Sequence, residues 1–208
     1  VTGTKNRNYL LGITGSIGSG KSTVTKLFSE LGAVRISSDE IAKQFTDPNT
    51  PIKEELKQIF GESIFDPNGS PIKAKIAEIA FSEPEKLKKM NSLIHPLVRK
   101  EFHEQLAKIP TGNIIAWEVP LLFETDAHTL CDGKLCVTVS HDVAWERVKA
   151  RGGMTREDFD KRNLAQMDLE KKKALSDFVI PNDNSTEELK KKIKSVYETI
   201  KIAAKELK

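Results

Sequence analysis

Residues 15–22 read Gly15-Ser16-Ile17-Gly18-Ser19-Gly20-Lys21-Ser22, a full match to G-x-x-x-x-G-K-[ST]. The pattern dictates a backbone path as well as a composition. Glycines let the chain curl so that successive N–H groups point inward at phosphate oxygens, and a helix starting there adds the positive end of its dipole. The flanks agree with this. Leu10-Leu11-Gly12-Ile13 is a short apolar run ending at Thr14, which predicts a buried strand. Beyond Lys21, Val24, Leu27, Phe28 and Leu31 share one helical face, with Gly32 as the stop. Strand, glycine turn and amphipathic helix in that order predict a phosphate-binding loop on an α/β sheet. Lys21 then supplies a cation for the terminal phosphates of ATP, and the Ser22 hydroxyl a hard oxygen for Mg²⁺. Gly15, Ile17, Gly18, Ser19, Gly20 and Thr23 complete the ATP cradle.

The remaining pattern fills in the fold. Val34 and Ile36 lead a second short strand to Ser37-Ser38-Asp39. From 46 to 110 the periodicity is helical throughout, with Leu56, Ile59 and Phe60 marking one helix and Ile72, Ile76 and Ile79 a second. Leu87, Met90 and Ile94 mark a third, which opens through Ser82 with Pro84 in its first turn. His95-Pro96 is read as a break before a fourth, carried by Val98, Phe102 and Leu106. Strand-like runs resume at 114–119, 135–139 and 178–180, and Ser185-Thr186-Glu187-Glu188 opens a last helix as a capping box. The expectation is α/β: a P-loop NTPase-type parallel sheet flanked by helices. Its nucleotide-binding core is 8–45 with 111–208, its helical substrate-binding insertion 46–110, and its small lid the charged segment 148–166.

Composition narrows the function classes. The 33 basic and 30 acidic residues leave a formal charge of +3, too even a balance for nucleic acid to be the main partner. No apolar run reaches the ~18 residues that span a bilayer. The stretch from Val1 to Asn8 is polar and lacks the apolar core of a signal peptide, and two cysteines form no disulfide framework. The expectation is a cytoplasmic protein with no membrane or nucleic-acid partner, monomeric by default.

Several side chains are candidates for chemistry. Asp39 ends the second predicted strand, the edge where ligands bind in open α/β sheets, so its carboxylate is placed to take a proton from an attacking hydroxyl; the alternative is an N-cap for a helix from Glu40. Glu118 ends an apolar strand as a metal-associated acid would, holding Mg²⁺ through water, or it merely closes the strand. Arg147, Arg151, Arg156 and Arg162 crowd the charged segment, either as a flap that neutralises a transferring phosphoryl group or as a solvated face. His128, Cys131, Cys136 and His141 invite a zinc reading, but their spacing matches no common finger and Cys136 lies inside an apolar run. Lys190-Lys191-Lys192 falls opposite the apolar stripe of the last helix and reads as an exposed charged face.

From about Tyr9 to the last helix, the chain resembles the dephospho-CoA kinase family. The carrying segments are Gly12–Thr23, then Ile36–Ala42, Leu93-Ile94-His95-Pro96, and Val119-Pro120-Leu121-Leu122-Phe123-Glu124. Arg162 with Ala165-Gln166, and Phe178-Val179-Ile180 followed by Asn182, complete them. The resemblance implies ATP-dependent phosphorylation of the ribose 3′-hydroxyl of dephospho-CoA. It also implies a core, a helical CoA-binding domain and a lid. By resemblance Asp39 is the base and Asn182 belongs to the ATP site; Lys21 and, first among the charged-segment arginines, Arg147 and Arg162 are expected to act on the transferring group. His95, Arg99, Pro120, Leu121, Leu122 and Glu124 are the implied substrate contacts, with His95 alternatively a helix-ending residue. The chain departs from the family at Ser37, usually Asp, at Ser16, usually Gly, and at Gly152, often Asp. A second small-molecule kinase activity, on a nucleoside or its monophosphate, and a nucleotide switch without transfer chemistry are the competing readings.

Overall fold

The computed structural model of the protein describes residues 7–207. Of the polar opening stretch, Val1–Asn6 lie outside the described residues. Two compact units are present: one holds the described residues up to Ser37 and those from Ile109 onward, the other Ser38–Lys108.

The first unit is built on five parallel strands, β1 (Tyr9–Gly15), β2 (Val34–Ser37), β3 (Ile114–Glu118), β4 (Gly133–Thr138) and β5 (Phe178–Pro181). Their spatial order is β2-β3-β1-β4-β5. Every residue of β1 is buried, as a central parallel strand covered on both faces requires, which is why its sequence is a continuous apolar run. Because successive strand side chains alternate, Leu11 and Ile13 share one face. There they meet Val24 and Phe28 of α1 (Lys21–Glu30) and Ile193 and Ile200 of α9 (Thr186–Lys205). Burying Phe28 completely is worth about 1.5–3 kcal/mol. The Ser185 side chain accepts from the Glu188 amide at 3.3 Å, so α9 opens as its capping box predicts.

Three more helices complete this unit: α6 (His141–Arg151), α7 (Arg156–Leu164) and α8 (Leu169–Ala174). α8 packs against β1 and β4. The charged segment is therefore helical, and its Phe159 packs into a small core with Val139, Ala144 and Val148. Gly152-Gly153 joins α6 to α7 with φ of +71° and +80°, values that L side chains rarely adopt.

The second unit is helical: α2 (Ser38–Gln44), α3 (Lys53–Phe60), α4 (Lys73–Ser82) and α5 (Pro84–Ala107), with an isolated antiparallel bridge between Phe65 and Pro71. Leu56, Ile64 and Phe102 are fully buried, and α2, α3 and α4 each pack on α5. Asp66-Pro67-Asn68-Gly69 forms a turn between helices, with Asp66 Oδ1 accepting from the Asn68 and Ser70 amides at 2.9 and 2.8 Å. Three local expectations need correction. His95-Pro96 does not break the chain, because α5 runs unbroken across Pro96. Pro96 has no N–H and leaves the Ser92 carbonyl without its helical donor, a defect that a long helix packed by Ile94 and Phe102 on either side absorbs. Ser82 ends α4, and Glu83 precedes the Pro84 start of α5. Asp39 lies within the first turn of α2 rather than ahead of it. Among the described residues, no helix is long and apolar enough to cross a membrane.

Candidate active site

The loop between β1 and α1 has the path its glycines predict. Gly18 has φ +78°, and a Cβ there would stand 2.6 Å from the Ala144 carbonyl oxygen, so the backbone of α6 rests directly on the loop. A Cβ on Gly20 would run into Asn182 Nδ2. Gly20 also begins α1 with no side-chain cap among the described residues, which leaves the first amides of the helix for an anion. Ser19 is fully buried, yet its Oγ has no hydrogen-bond partner among the described residues. A buried orphan hydroxyl costs about 1–3 kcal/mol unless something accepts from it or donates to it, and a phosphate oxygen is suited to that place. Lys21 Nζ donates to the Gly15 and Ser16 carbonyls at 3.1 and 2.8 Å, holding its cation over the mouth of the loop.

Ser22 Oγ donates to Glu118 Oε1 at 2.7 Å. Glu118 is buried at the end of β3, opposite Ile13 in one direction and Ser37 in the other, and its second oxygen lies 3.4 Å from Arg35. A hydroxyl and a carboxylate at hydrogen-bond distance, beside a loop built for phosphates, are the hard oxygen donors that Mg²⁺ selects. The donor set fits that ion. Arg35 offsets part of the Glu118 charge, a partner that the sequence reading missed because nothing in Val34-Arg35-Ile36 distinguishes a paired arginine from a solvated one.

Arg147 and Asn182 meet the loop from the C-terminal side. Asn182 Nδ2 donates to the Ser19 carbonyl at 2.8 Å, and Arg147 donates to the Asn182 carbonyl at 2.8 Å. The other terminal nitrogen of Arg147 is buried without a partner among the described residues and lies 3.8 Å from the Cβ position of Gly20. Arg162 sits on α7, where burial lowers its pKa against the raising effect of Asp158. Ile17 packs on the small core that includes Phe159 of α7. A cleft of about 480 Å³ opens beside Ser16, lined by Phe159, Asn163, Gln166, Leu169 and Lys172 among others.

The 120–124 turn is anchored from behind. Leu122 is fully buried, Pro120 and Leu121 are partly exposed, and Glu124 accepts from the Met167 amide at 2.9 Å and pairs with Lys172 at 2.9 Å. Burial pushes the Glu124 carboxyl up, but the hydrogen bonds from Lys172 and Met167 outweigh it and hold the carboxyl below its ordinary range. A depressed carboxylate pKa contributes stability above the unfolded-state value, and that stability disappears as pH falls through the folded-state value. Glu124→Gln should therefore lower Tm most near neutral pH, and the gap to wild type should close on acidification through the carboxylate range, about pH 4. Melting curves across that range check it; a gap independent of pH would contradict the ion pair.

Asp39, His95 and Arg99 belong to the helical unit. Asp39 follows β2 by two residues along the chain, and His95 and Arg99 are exposed one turn apart on α5. Of the two cysteines, Cys131 donates to the Ala127 carbonyl and Cys136 is buried in β4.

A family model for dephospho-CoA kinase matches residues 9–188. This chain belongs to the dephospho-CoA kinase family. A dephospho-CoA kinase of Leptospira interrogans is 42% identical over 194 residues, 93% of this chain and 94% of that one. A crystal structure from Thermus thermophilus superposes with a TM-score of 0.79 at 34% identity, covering 93% and 98% of the two chains. The dephospho-CoA kinase of Campylobacter jejuni gives 0.68 at 26% identity, covering 94% and 98%. The five-stranded parallel sheet with its glycine loop is thus the P-loop kinase fold of a dephospho-CoA kinase.

Within this kinase framework, the contact between Gly18 and α6 is open to direct test. Gly18→Ala introduces a Cβ both at positive φ and against the Ala144 carbonyl. It should cost about 1–2 kcal/mol, or roughly 2–4 °C of Tm per kcal/mol, and weaken ATP binding as the loop shifts. Calorimetry of folding and of ATP binding reads both; an unchanged ATP Kd would mean that the loop geometry does not govern nucleotide affinity.

Proposed function

We propose that the protein transfers the γ-phosphoryl group of ATP to the ribose 3′-hydroxyl of dephospho-CoA, giving ADP and coenzyme A, the last step of coenzyme A synthesis. The observation that carries this reading is the convergence at one loop of cationic, hydroxyl and amide donors, of which the buried Ser19 Oγ and one Arg147 nitrogen have no partner among the described residues. Lys21, the buried Ser19 Oγ, the spare Arg147 nitrogen and the uncapped start of α1 all stand there, in a chain that belongs to this kinase family.

In this reading the loop amides and Lys21 hold the ATP phosphates, and Asn182 keeps Ser19 and Gly20 in place beneath them. Ser22 and Glu118 would hold Mg²⁺, which when bound supplies positive charge to the phosphate oxygens. The acceptor is held at the 120–124 turn, whose Glu124 is tied to Met167 and Lys172 of the cleft beside Ser16. Its 3′-oxygen forms the new bond to the γ-phosphorus as the bond to the β-phosphate bridging oxygen breaks, and the displaced hydroxyl proton passes to the Asp39 carboxylate. Arg147 and Arg162 stabilise charge on the transferring group, so most of the rate gain comes from positioning and electrostatics. His95, Arg99 and the 120–124 turn bind the acceptor. The two free thiols, with pKa values pushed by burial to about 12 at Cys131 and about 11 at Cys136, suit a reducing cytoplasm.

ADP release from Mg-ATP is measured with dephospho-CoA, adenosine, AMP and no acceptor. Turnover only with dephospho-CoA is the expected result. Preference for adenosine or AMP would replace the acceptor, and no acceptor-dependent turnover by folded, ATP-binding protein would leave a nucleotide switch.

A further inference from the structure

Lys172 is 1% exposed, although the residue carries an ammonium group. Removing such an ion from water costs several kcal/mol, and a methionine or leucine would fill the same volume without that cost. The reason for a lysine therefore lies in what Nζ touches. It donates to the Pro120 carbonyl at 2.9 Å and stands 2.9 Å from Glu124 Oε1. The Pro120 carbonyl also accepts from Thr14 Oγ1 at 3.1 Å, at the end of β1 that feeds the phosphate loop. Glu124 Oε1 also accepts from the Met167 amide, in the connection between α7 and α8. One ammonium thus joins the root of the loop, the 120–124 turn and the base of the lid. Its neighbour Lys173 does nothing comparable, pairing with Glu170 at the surface. Lys172 shares a helical face with Leu169, and both line the cleft beside Ser16 together with Gln166 and Met167.

We propose that Lys172 is a positioning residue for the phosphoryl acceptor, its ammonium clamping Pro120 and Glu124 so that the 120–124 turn is held fixed against the 166–169 wall of the cleft. The inference rests on the acceptor reading above. A wall tied through backbone carbonyl and amide groups keeps its shape whatever the cleft contains, which spares the acceptor the entropy of ordering it. The clamp touches neither Lys21 nor Ser22, and its link toward the phosphate loop is the one carbonyl it shares with Thr14, so its effect falls on acceptor affinity far more than on ATP.

The test compares Lys172→Met, of similar length and no charge, with Lys172→Arg and with the double variant Lys172→Met/Glu124→Gln, which leaves no orphaned carboxylate. For each, the KM and kcat with dephospho-CoA, the calorimetric Kd for dephospho-CoA without ATP, the ATP Kd and the Tm are measured. Lys172→Met should raise acceptor KM and Kd together by about 10- to 100-fold, the worth of a charged hydrogen bond. ATP Kd should stay within about twofold of wild type. Lys172→Arg should recover part of the acceptor affinity, and the double variant should recover Tm without recovering it. A double variant with wild-type acceptor Kd overturns the proposal, as does equal loss of ATP and acceptor affinity, which would mark general loosening. Wild-type protein that binds dephospho-CoA without turning it over would sink the reaction assignment and leave the clamp to be judged on Kd. Wild-type protein that does not bind it sinks both.

Discussion

Lys21→Ala should reduce kcat by about 100- to 1,000-fold, the usual cost of removing one preorganised donor from developing charge. The reasoning starts from geometry. Lys21 Nζ is held at the mouth of the loop by the Gly15 and Ser16 carbonyls, so its charge is in place before phosphate arrives. An interaction made with the transferring group raises kcat only if it strengthens as charge shifts onto the bridging oxygen, and a point cation does so. ATP affinity should fall much less, because the loop amides and the start of α1 remain. Steady-state kinetics with a parallel ATP-binding measurement separates the two effects. Turnover at the wild-type rate would contradict the assignment of the loop itself.

Asp39→Asn should cost kcat about 100- to 10,000-fold while leaving the ATP Kd near wild type. The substitution keeps the shape and one acceptor oxygen but removes the ability to take a proton at neutral pH. Asp39 lies in the first turn of α2, where a carboxylate is also favoured by the helix dipole. A helix-stabilising role alone would therefore cost about 0.3–1 kcal/mol of stability and no more. The kinetic and thermal readouts thus separate the roles: a large loss of kcat with little change in Tm is expected for a base, and a small change in Tm with full activity would remove Asp39 from the chemistry.

The loop and its surroundings were legible in the sequence because their causes are local. Glycine spacing, an apolar run ahead and helical periodicity behind are properties of adjacent residues, and Val24, Phe28, Ile193 and Ile200 are buried where periodicity puts them. The same holds for the capping box at Ser185. What the sequence reading missed depends on distant partners. Lys172 sits in a run of three lysines, and only the tertiary placement of Pro120 and Glu124 makes it a buried cation. Arg35 is distinguished only by the strand register that sets Ser37 opposite Glu118. The misplaced break at Pro96 has a related origin. Local chemistry disfavours proline inside a helix, but α5 is held by packing on three other helices, and that burial outweighs one lost hydrogen bond.

The glycine pair between α6 and α7 divides the two candidate arginines into different kinds of participant. Arg147 precedes it, tied to the Asn182 carbonyl on a helix whose backbone rests against Gly18. Arg162 follows it, on a helix reached through two residues at positive φ with open space around them. The first is tied to the segment that holds the loop, so in the proposed site its ordering entropy is spent when the protein folds. The second sits on a helix that packs on α6 through Phe159, so in the proposed reaction its charge is placed by that packing and not by a bond to the nucleotide loop. Loss of Arg147 would therefore disturb the loop directly, whereas loss of Arg162 would leave the contacts of Asn182 with the loop intact.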